Sequence, residues 1–258
     1  MNQLIRFSFA LTPRMHSFLE CRNALECLEH ARLHDDAYAW LQAIHDLQES
    51  LLGSTARKPA VPEIVGLIHA IQKNLKLLSQ QNTPFEQQIV EAYDSLEAYE
   101  KVLAEKLPQV LDFMYNDGVI QSWLNCHKKQ DWLGHRLFYP KILPIFWQTL
   151  GIQNELNESL QDIYAIMSHL DGILHDFVPW TEELAKDGYD QVHPQSSHEK
   201  YGLLIVGLPS SAVQLGVSPE FSGNHHAVRI RFQQWRAGKP QTSYDQNLPY
   251  YRMLVPIL

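Results

Sequence analysis

The segment Gly223–Phe232, which reads GNHHAVRIRF, decides the class of fold. After a Gly-Asn turn, apolar and charged residues alternate from Val228 to Phe232, so that Arg229 and Arg231 share one side. Alternation of β-branched and aromatic residues with charged ones predicts a half-buried antiparallel strand. The apolar side of this strand is expected to face a core, and its arginine side is expected to be open.

The two arginines permit two interpretations. On one side of a strand, residues i and i+2 lie about 7 Å apart, and each planar guanidinium group can bind a carboxylate through two hydrogen bonds. Arg229 and Arg231 could therefore hold acidic groups of a partner. The alternative is that they are ordinary solvated charges on an exposed sheet face.

The N-terminus carries a second strand pattern, because residues 2–11 also alternate, with Phe7 and Phe9 on the apolar side and Arg6 on the other. A single strand needs partners for its hydrogen bonds. The other predicted strands lie after residue 200, so we expect both chain ends to meet in one sheet. These strands are Tyr201–Leu208, Ala212–Leu215, Ala227–Trp235 and Tyr250–Val255.

The chain between these strands has helical periodicity. Thr12-Pro13 is a typical helix start, and Gly53–Pro62 is rich in helix breakers. Apolar stripes from Ile64 and from the Thr83-Pro84 cap predict two helices of roughly 20 residues that form an αα-hairpin. A polar linker, predicted over Asp187–Lys200, follows the last helix. The predicted fold is α+β, with a helical domain over 12–190 and an antiparallel sheet module formed by 1–11 with 200–258.

The charge of the chain is unevenly distributed. The formal net charge is −8, with 15 Lys and Arg against 27 Asp and Glu in residues 1–199 and 6 against 2 in residues 200–258. The total argues against general binding of nucleic acid or anionic membranes, and the apolar runs are too short for a membrane helix. The basic C-terminal part predicts an acidic or carboxylate-bearing partner.

The cysteines indicate a reducing compartment. Cys21, Cys27 and Cys126 are odd in number and form no CxxC pair, so a disulfide framework is not expected. This favours the cytoplasm.

Sequence motifs of known catalysts are not found. The chain has no glycine-rich phosphate loop, no GxSxG and no HExxH. Cys27, His30 and His34 lie on one helix face and have donor atoms that zinc accepts, but an HxxxH pair is expected by chance among 13 histidines. We therefore predict no cofactor and no metal.

The alternative function is a metal-dependent phosphohydrolase of the HD type. Its basis is the His-Asp dipeptide, which occurs at His34-Asp35, His45-Asp46 and His175-Asp176. Such an enzyme needs a further His and a further Asp at the same site, and no pattern in the sequence identifies them. Exposed helix residues are the simpler interpretation of these pairs.

The whole chain resembles the ZapD family of bacterial cell-division proteins. The resemblance rests on the N-terminal spacing of Phe7, Leu11, Met15 and Leu19 and on the strand Ile230-Arg231-Phe232. It implies a helical domain with a small antiparallel sheet, and a cytoplasmic homodimer at the midcell division ring. It also implies binding to the C-terminal tail of the tubulin-like protein FtsZ and bundling of FtsZ filaments, without catalysis.

The basic residues of the family are only partly kept. The arginines of the family's Met-Arg-x-x-Leu-Arg segment are replaced by His16 and Glu20, and a strand arginine is replaced by Ala227. Arg231 matches the family strand, whereas Arg229 is additional.

The predicted partner-binding site is a basic cleft. We expect Arg229 and Arg231 to bind acidic groups of an extended tail. Further cationic residues are expected to flank them, namely Arg22, Lys128, Lys129 and Arg136.

Overall fold

The computed structural model describes residues 4–53, 59–80, 86–131, 135–176, 178–194, 201–239 and 241–256. It confirms the α+β class. The helices are α1 (Pro13–Leu33), α2 (Ala37–Leu52), α3 (Ala60–Ser79), α4 (Glu86–Asn116), α5 (Gly118–Lys129), a short 3-10 helix (Arg136–Phe138), α6 (Leu143–Leu150), α7 (Ile152–Asp176) and α8 (Ser210–Gln214). The strands are β1 (Leu4–Ala10), β2 (Thr181–Ala185), β3 (Tyr189–Val192), β4 (Tyr201–Pro209), β5 (Val217–Gly223), β6 (Val228–Gln234), β7 (Thr242–Ser243) and β8 (Leu248–Pro256).

The chain divides into two compact units. The helical unit comprises Ser17–Asp171, and the β unit comprises Met1–His16 with Gly172–Leu258. The helical unit is shorter than the 12–190 domain that the sequence predicts, because the segment after α7 turns into strands β2 and β3 of the β unit.

Local capping defines several helices of the helical unit. The side chain of Asp36 accepts a hydrogen bond from the backbone N–H of Ala39 at 3.0 Å, and Asp117 caps α5 in the same way. Such N-caps satisfy backbone donors that have no partner within the helix. The consecutive helices α3 and α4 pack against each other, as the hairpin prediction requires. Its Thr83-Pro84 cap lies outside the described residues. None of the described helices combines the length and apolarity needed to cross a membrane.

The β unit contains two antiparallel sheets. Strands in the order β1-β4-β8-β2 form the first sheet, and strands in the order β3-β6-β5 form the second, where β7 also pairs with β6. The register of β1 on β4 runs from Leu4 opposite Pro209 to Ala10 opposite Leu203. The prediction that the N-terminal strand pairs with a strand after residue 200 is therefore confirmed.

Apolar residues of both sheets form one core. Val228, Ile230 and Phe232 of β6 are fully buried, and they cluster with side chains of the first sheet such as Leu204 and Val206. Each strand places alternate residues on opposite faces, so the alternation seen in the sequence of β6 corresponds to one face in this core and one face outside it.

The strand predictions over 201–256 are only partly correct. Strands β4, β6 and β8 are found close to the predicted positions, but Ala212–Leu215 does not form a strand, because residues Ser210–Gln214 form α8. A short apolar run has no periodicity that separates strand from helix. Pro209 ends β4 immediately before it.

The turn between β2 and β3 links the two sheets. Asp187 and Gly188 both have positive φ, at 49° and 68°, as the two central residues of a type I′ turn require. The N–H of Gly188 donates to Gln246, and its carbonyl accepts from Phe232 at 2.8 Å. A Cβ atom at Gly188 would lie 1.7 Å from the carbonyl oxygen of Tyr244, so only glycine fits here.

Four polar side chains connect the sheets at the margin of the core. The hydroxyl of Tyr250 on β8 donates to the carboxylate of Asp190 on β3. Arg252 pairs with Glu183 and lies 3.7 Å from Asp190. Burial, and next the hydrogen bond to Asp190, raises the pKa of Tyr250, so its phenol remains a donor at neutral pH.

Removal of the Tyr250 hydroxyl is expected to destabilise the β unit. Tyr250→Phe removes the hydrogen bond that Oδ2 of the Asp190 carboxylate accepts from the phenol, which should lower the free energy of unfolding by about 1–3 kcal/mol. Urea unfolding at neutral pH measures this. Tyr251→Phe is the matched control, since the hydroxyl of Tyr251 forms no hydrogen bond with the described residues. Equal effects of the two substitutions would contradict the assigned role of the hydroxyl.

Candidate partner-binding face

Strand β6 is the central strand of the second sheet and carries two exposed arginines. Its apolar face lies in the core, which fixes the strand, while the side chains of Arg229 and Arg231 are exposed on the opposite face. Arg231 lies opposite Tyr189 of β3 and Glu220 of β5. Directly opposed residues of antiparallel strands share one face. We call this face the arginine face, and its members are Tyr189, Gln191, Ser218, Glu220, Ser222, Arg229, Arg231 and Gln233.

The guanidinium groups of Arg229 and Arg231 have no ion-pair partner among the described residues. Neither group forms a hydrogen bond or an ion pair within the part of the chain that the structure describes. The carboxylate of Glu220 is opposite Arg231, but it accepts a hydrogen bond from the amide of Gln233 at 2.6 Å. The structure therefore presents two neighbouring cations on a fixed strand.

The positive charge is local to this face. The β unit as a whole contains 9 Lys and Arg against 8 Asp and Glu, which is +1, and the helical unit contains 12 against 21, which is −9. The basic module with a charge of +4 expected from residues 200–258 is therefore wrong for the folded unit. The hairpin β2–β3 adds Glu182, Glu183, Asp187 and Asp190 to it. Two of these, Glu183 and Asp190, are engaged by Arg252 between the sheets.

The other predicted cations belong to the helical unit. Lys128 and Lys129 end α5, Arg136 begins the 3-10 helix, and all three side chains are exposed. We call these three residues the second basic group, and they belong to a different unit from Arg229 and Arg231.

Arg22 is not an open cation. Its side chain is 13% exposed and forms an ion pair with Asp171 of α7, and it lies 3.4 Å from Glu26. These two carboxylates compensate its charge, so we do not include Arg22 in the candidate site.

Cys27, His30 and His34 do not form a cluster of metal ligands. The rings of His30 and His34 stack with centroids 4.2 Å apart, and Nδ1 of His34 lies 2.8 Å from the carbonyl oxygen of His30. Burial, with Asp46 as the next cause, raises the pKa of Cys27, which disfavours the thiolate that binds metal. No group of three metal-binding side chains is found among the described residues. All three cysteines are free thiols.

The His-Asp pairs lie in or next to three different helices. His34-Asp35 follows the end of α1, His45-Asp46 lies in α2, and His175 lies near the end of α7. Nδ1 of His45 is 3.2 Å from the carboxylate of its neighbour Asp46. This geometry gives no specific support to the phosphohydrolase alternative.

His45 also stacks on His127 of α5, with ring centroids 4.9 Å apart. Burial, and next the proximity of His45, lowers the pKa of His127, while Asp46 opposes this shift. The folded protein therefore resists protonation of His127.

Acid is therefore expected to destabilise the helical unit through His127. The unfolded chain takes up a proton at the ordinary histidine pKa of about 6.5, before the folded chain does, so stability is complete above that pKa and falls as pH decreases toward the lower folded pKa. Urea unfolding between about pH 7.5 and about pH 5 measures the loss. His127→Gln should show a smaller loss than the wild type over this range, and an unchanged pH dependence would contradict the assignment.

The sequence patterns did not identify two aromatic residues beside the arginines. Tyr189 follows the Asp187-Gly188 turn and is 40% exposed, and Trp235 follows β6 and is 56% exposed. Nε1 of Trp235 donates to the hydroxyl of Ser218 at 3.0 Å, which holds the indole beside the arginine face. The alternation 229, 231, 233, 235 in the sequence was the available signal for Trp235.

A comparison with models of known protein families finds no match for this chain, and a search of curated proteins finds no significantly similar sequence.

Proposed function

We propose that this chain is a cell-division accessory protein that binds the C-terminal tail of FtsZ and bundles FtsZ filaments as a homodimer at the division ring. The observation that carries the proposal is the pair of exposed guanidinium groups, Arg229 and Arg231, without a carboxylate partner among the described residues. The resemblance to the ZapD family, which includes the strand Ile230-Arg231-Phe232, supplies the identity of the partner.

The arginine face suits weak and reversible capture of acidic groups. Each guanidinium group can bind one carboxylate through two hydrogen bonds, and the central strand holds both groups in place. Exposed ion pairs contribute only about 0.2–1 kcal/mol each, and salt screens them. Binding of one tail should therefore be of modest affinity and should weaken with ionic strength.

Bundling of filaments requires two FtsZ-binding sites in one protein assembly. A homodimer with one arginine face per subunit provides them, and attachment of both sites to the same polymer raises the apparent affinity without any new contact. Dimerisation is thus part of the mechanism. Sedimentation equilibrium of the purified protein measures it.

Co-sedimentation with FtsZ polymers tests the proposal. The protein should pellet with polymers of full-length FtsZ and should stay in the supernatant with polymers that lack the C-terminal tail. Raising the salt from about 50 to about 300 mM should reduce the pelleted fraction. Equal pelleting with both kinds of polymer would contradict recognition of the tail.

A further inference from the structure

We infer that the arginine face continues onto Trp235 and takes an extended peptide that combines acidic residues with a large apolar side chain. For the identity of its natural partner this inference depends on the proposed function. The chemistry of the ligand, however, follows from the residues of the face itself, and synthetic peptides test it separately.

The apolar part of the face is built by Trp235. The backbone N–H of Trp235 donates to Gly216 at 2.9 Å, and its indole N–H donates to Ser218. These bonds hold the ring while 56% of the residue is exposed. Leu215, which is 69% exposed, precedes Gly216 in the chain, and its carbonyl accepts a hydrogen bond from Gln234. A large aromatic side chain that is held in place and yet exposed is typical of interaction surfaces.

Tyr189 adds a second aromatic ring beside the arginines. It lies opposite Arg231 in the register of β3 and β6, and its hydroxyl donates to Gln191 at 3.2 Å. The guanidinium groups are therefore flanked by Tyr189 in the neighbouring strand and by Trp235 farther along their own strand. A ligand that used only its carboxylates would leave both aromatic rings without a contact.

The spacing along β6 sets the pattern of the ligand. Arg229 and Arg231 are two residues apart, and Trp235 follows four residues after Arg231. An extended peptide repeats its side chains on one side every two residues, about 7 Å apart. Two acidic residues at i and i+2, with a large apolar residue four positions from the nearer one, would therefore match the face in register.

The peptide is expected to lie over the face, along β6, and not to extend the sheet at its edge. Strand β5 has no further strand beside it among the described residues, but it contains Pro219 opposite Phe232. The backbone N–H and C=O of Phe232 both bond away from β5, to Gly188 and Tyr244. The main-chain groups of Pro219 thus point to the open edge, where proline has no N–H to donate.

The charges favour a peptide over a single-stranded nucleic acid, which also uses cations and aromatic rings. A nucleic acid needs a positive groove along its backbone. The arginine face has two cations and one carboxylate, Glu220, and the β unit has a net charge of +1. So few positive charges suit a peptide with a few carboxylates better than a polyanionic nucleic acid.

Fluorescence anisotropy with labelled synthetic peptides tests the inference. The probe is a peptide of about ten residues with two Asp at i and i+2 and one Leu at i+6, and its partner has Ser in place of Leu. The wild-type protein should bind the Leu peptide about tenfold more tightly, as expected for partial burial of a leucine side chain. Trp235→Ser should bind both peptides equally weakly.

Matched variants separate the role of the ring from a general loss of structure. Trp235→Phe keeps the apolar ring and should retain most of the preference for the Leu peptide. Tyr115→Ser removes an exposed aromatic residue of the helical unit and should behave as wild type. An unchanged preference in Trp235→Ser, or tighter binding of oligothymidylate than of the Leu peptide, would overturn the inference.

The outcomes distinguish this inference from the proposed function. If FtsZ polymers pellet the protein, but Trp235→Ser behaves as wild type in both co-sedimentation and peptide anisotropy, the inference fails and the proposed function stands. If the peptides bind with the predicted dependence on Trp235 but FtsZ polymers do not pellet the protein, the inference stands and the identity of the partner is wrong.

Discussion

Replacement of Arg229 and Arg231 together by glutamate is expected to abolish filament bundling. The substitution removes two ion pairs and places two carboxylates opposite the acidic tail. The lost attraction and the new repulsion together should weaken the binding free energy by about 2–4 kcal/mol, which corresponds to a roughly 30- to 1,000-fold lower affinity. The fold should persist, because both side chains are exposed and the apolar face of β6 is unchanged.

Light scattering and electron microscopy of FtsZ polymers measure the effect. The control is Lys73→Glu with Lys101→Glu, which changes the net charge equally on exposed positions of the helical unit and should bundle as wild type. A third variant, with Lys128, Lys129 and Arg136 replaced by glutamate, tests the second basic group. Normal bundling by the folded Arg229→Glu, Arg231→Glu protein would contradict the assignment of the site.

Substitution of Gly188 by alanine is expected to disrupt the β unit. The positive φ of this residue costs a non-glycine residue about 1–2 kcal/mol. The new methyl group would in addition collide with the backbone at Tyr244, which cannot move away as a side-chain tip can, and overpacking of this kind costs about 1–3 kcal/mol more. The hydrogen bonds of Gly188 to Phe232 and Gln246 would be lost with the displacement.

The variant Gly238→Ala separates the cost of the positive φ from the cost of the collision between the new methyl group and the backbone. Gly238 has nearly the same φ, 70°, but a Cβ atom there meets nothing within 4 Å. Urea unfolding and hydrogen exchange of the β6 amides should show a much larger loss of stability for Gly188→Ala. Similar losses for the two variants would mean that the close contact with Tyr244 is not important.

The sequence predicted those parts of the fold whose periodicity is strong. The alternation in β1 and β6 identified both strands, and the requirement for a ladder partner predicted the pairing of β1 with a strand after residue 200. The sequence also predicted that Arg229 and Arg231 share an open face. The two strands and the shared face of Arg229 and Arg231 followed from local side-chain order, and the pairing of β1 followed from its need for a partner strand.

Other features depended on signals that were weak or wrongly weighted. The Asp187-Gly188 dipeptide is a strong hairpin signal, but the prediction assigned it to the start of a polar linker, and strands β2 and β3 were missed. As a result, the charge of the folded β unit was overestimated. Residues Ser210–Gln214 gave no period by which helix and strand could be separated.

Contacts between distant residues could not be read from the sequence. From the sequence, Arg22 was expected to be a free charge beside the site. In the structure it is paired with Asp171, which lies 149 positions farther along the chain. Tyr250 and Asp190 meet only because the two sheets pack face to face. Trp235 lies beside the arginine face because the turn at Gly216 brings Ser218 within reach of its indole N–H.

A charge-exchange experiment tests the central claim most directly, which is that Arg229 and Arg231 bind carboxylates of the tail. Anisotropy would measure the binding of labelled FtsZ tail peptides, with native acidic residues or with lysine in their place, to the wild type and to Arg229→Glu, Arg231→Glu. We predict that only the two combinations of opposite charge bind, so that the lysine peptide restores binding to the glutamate variant. Binding of the native peptide to both proteins with equal affinity would contradict the claim.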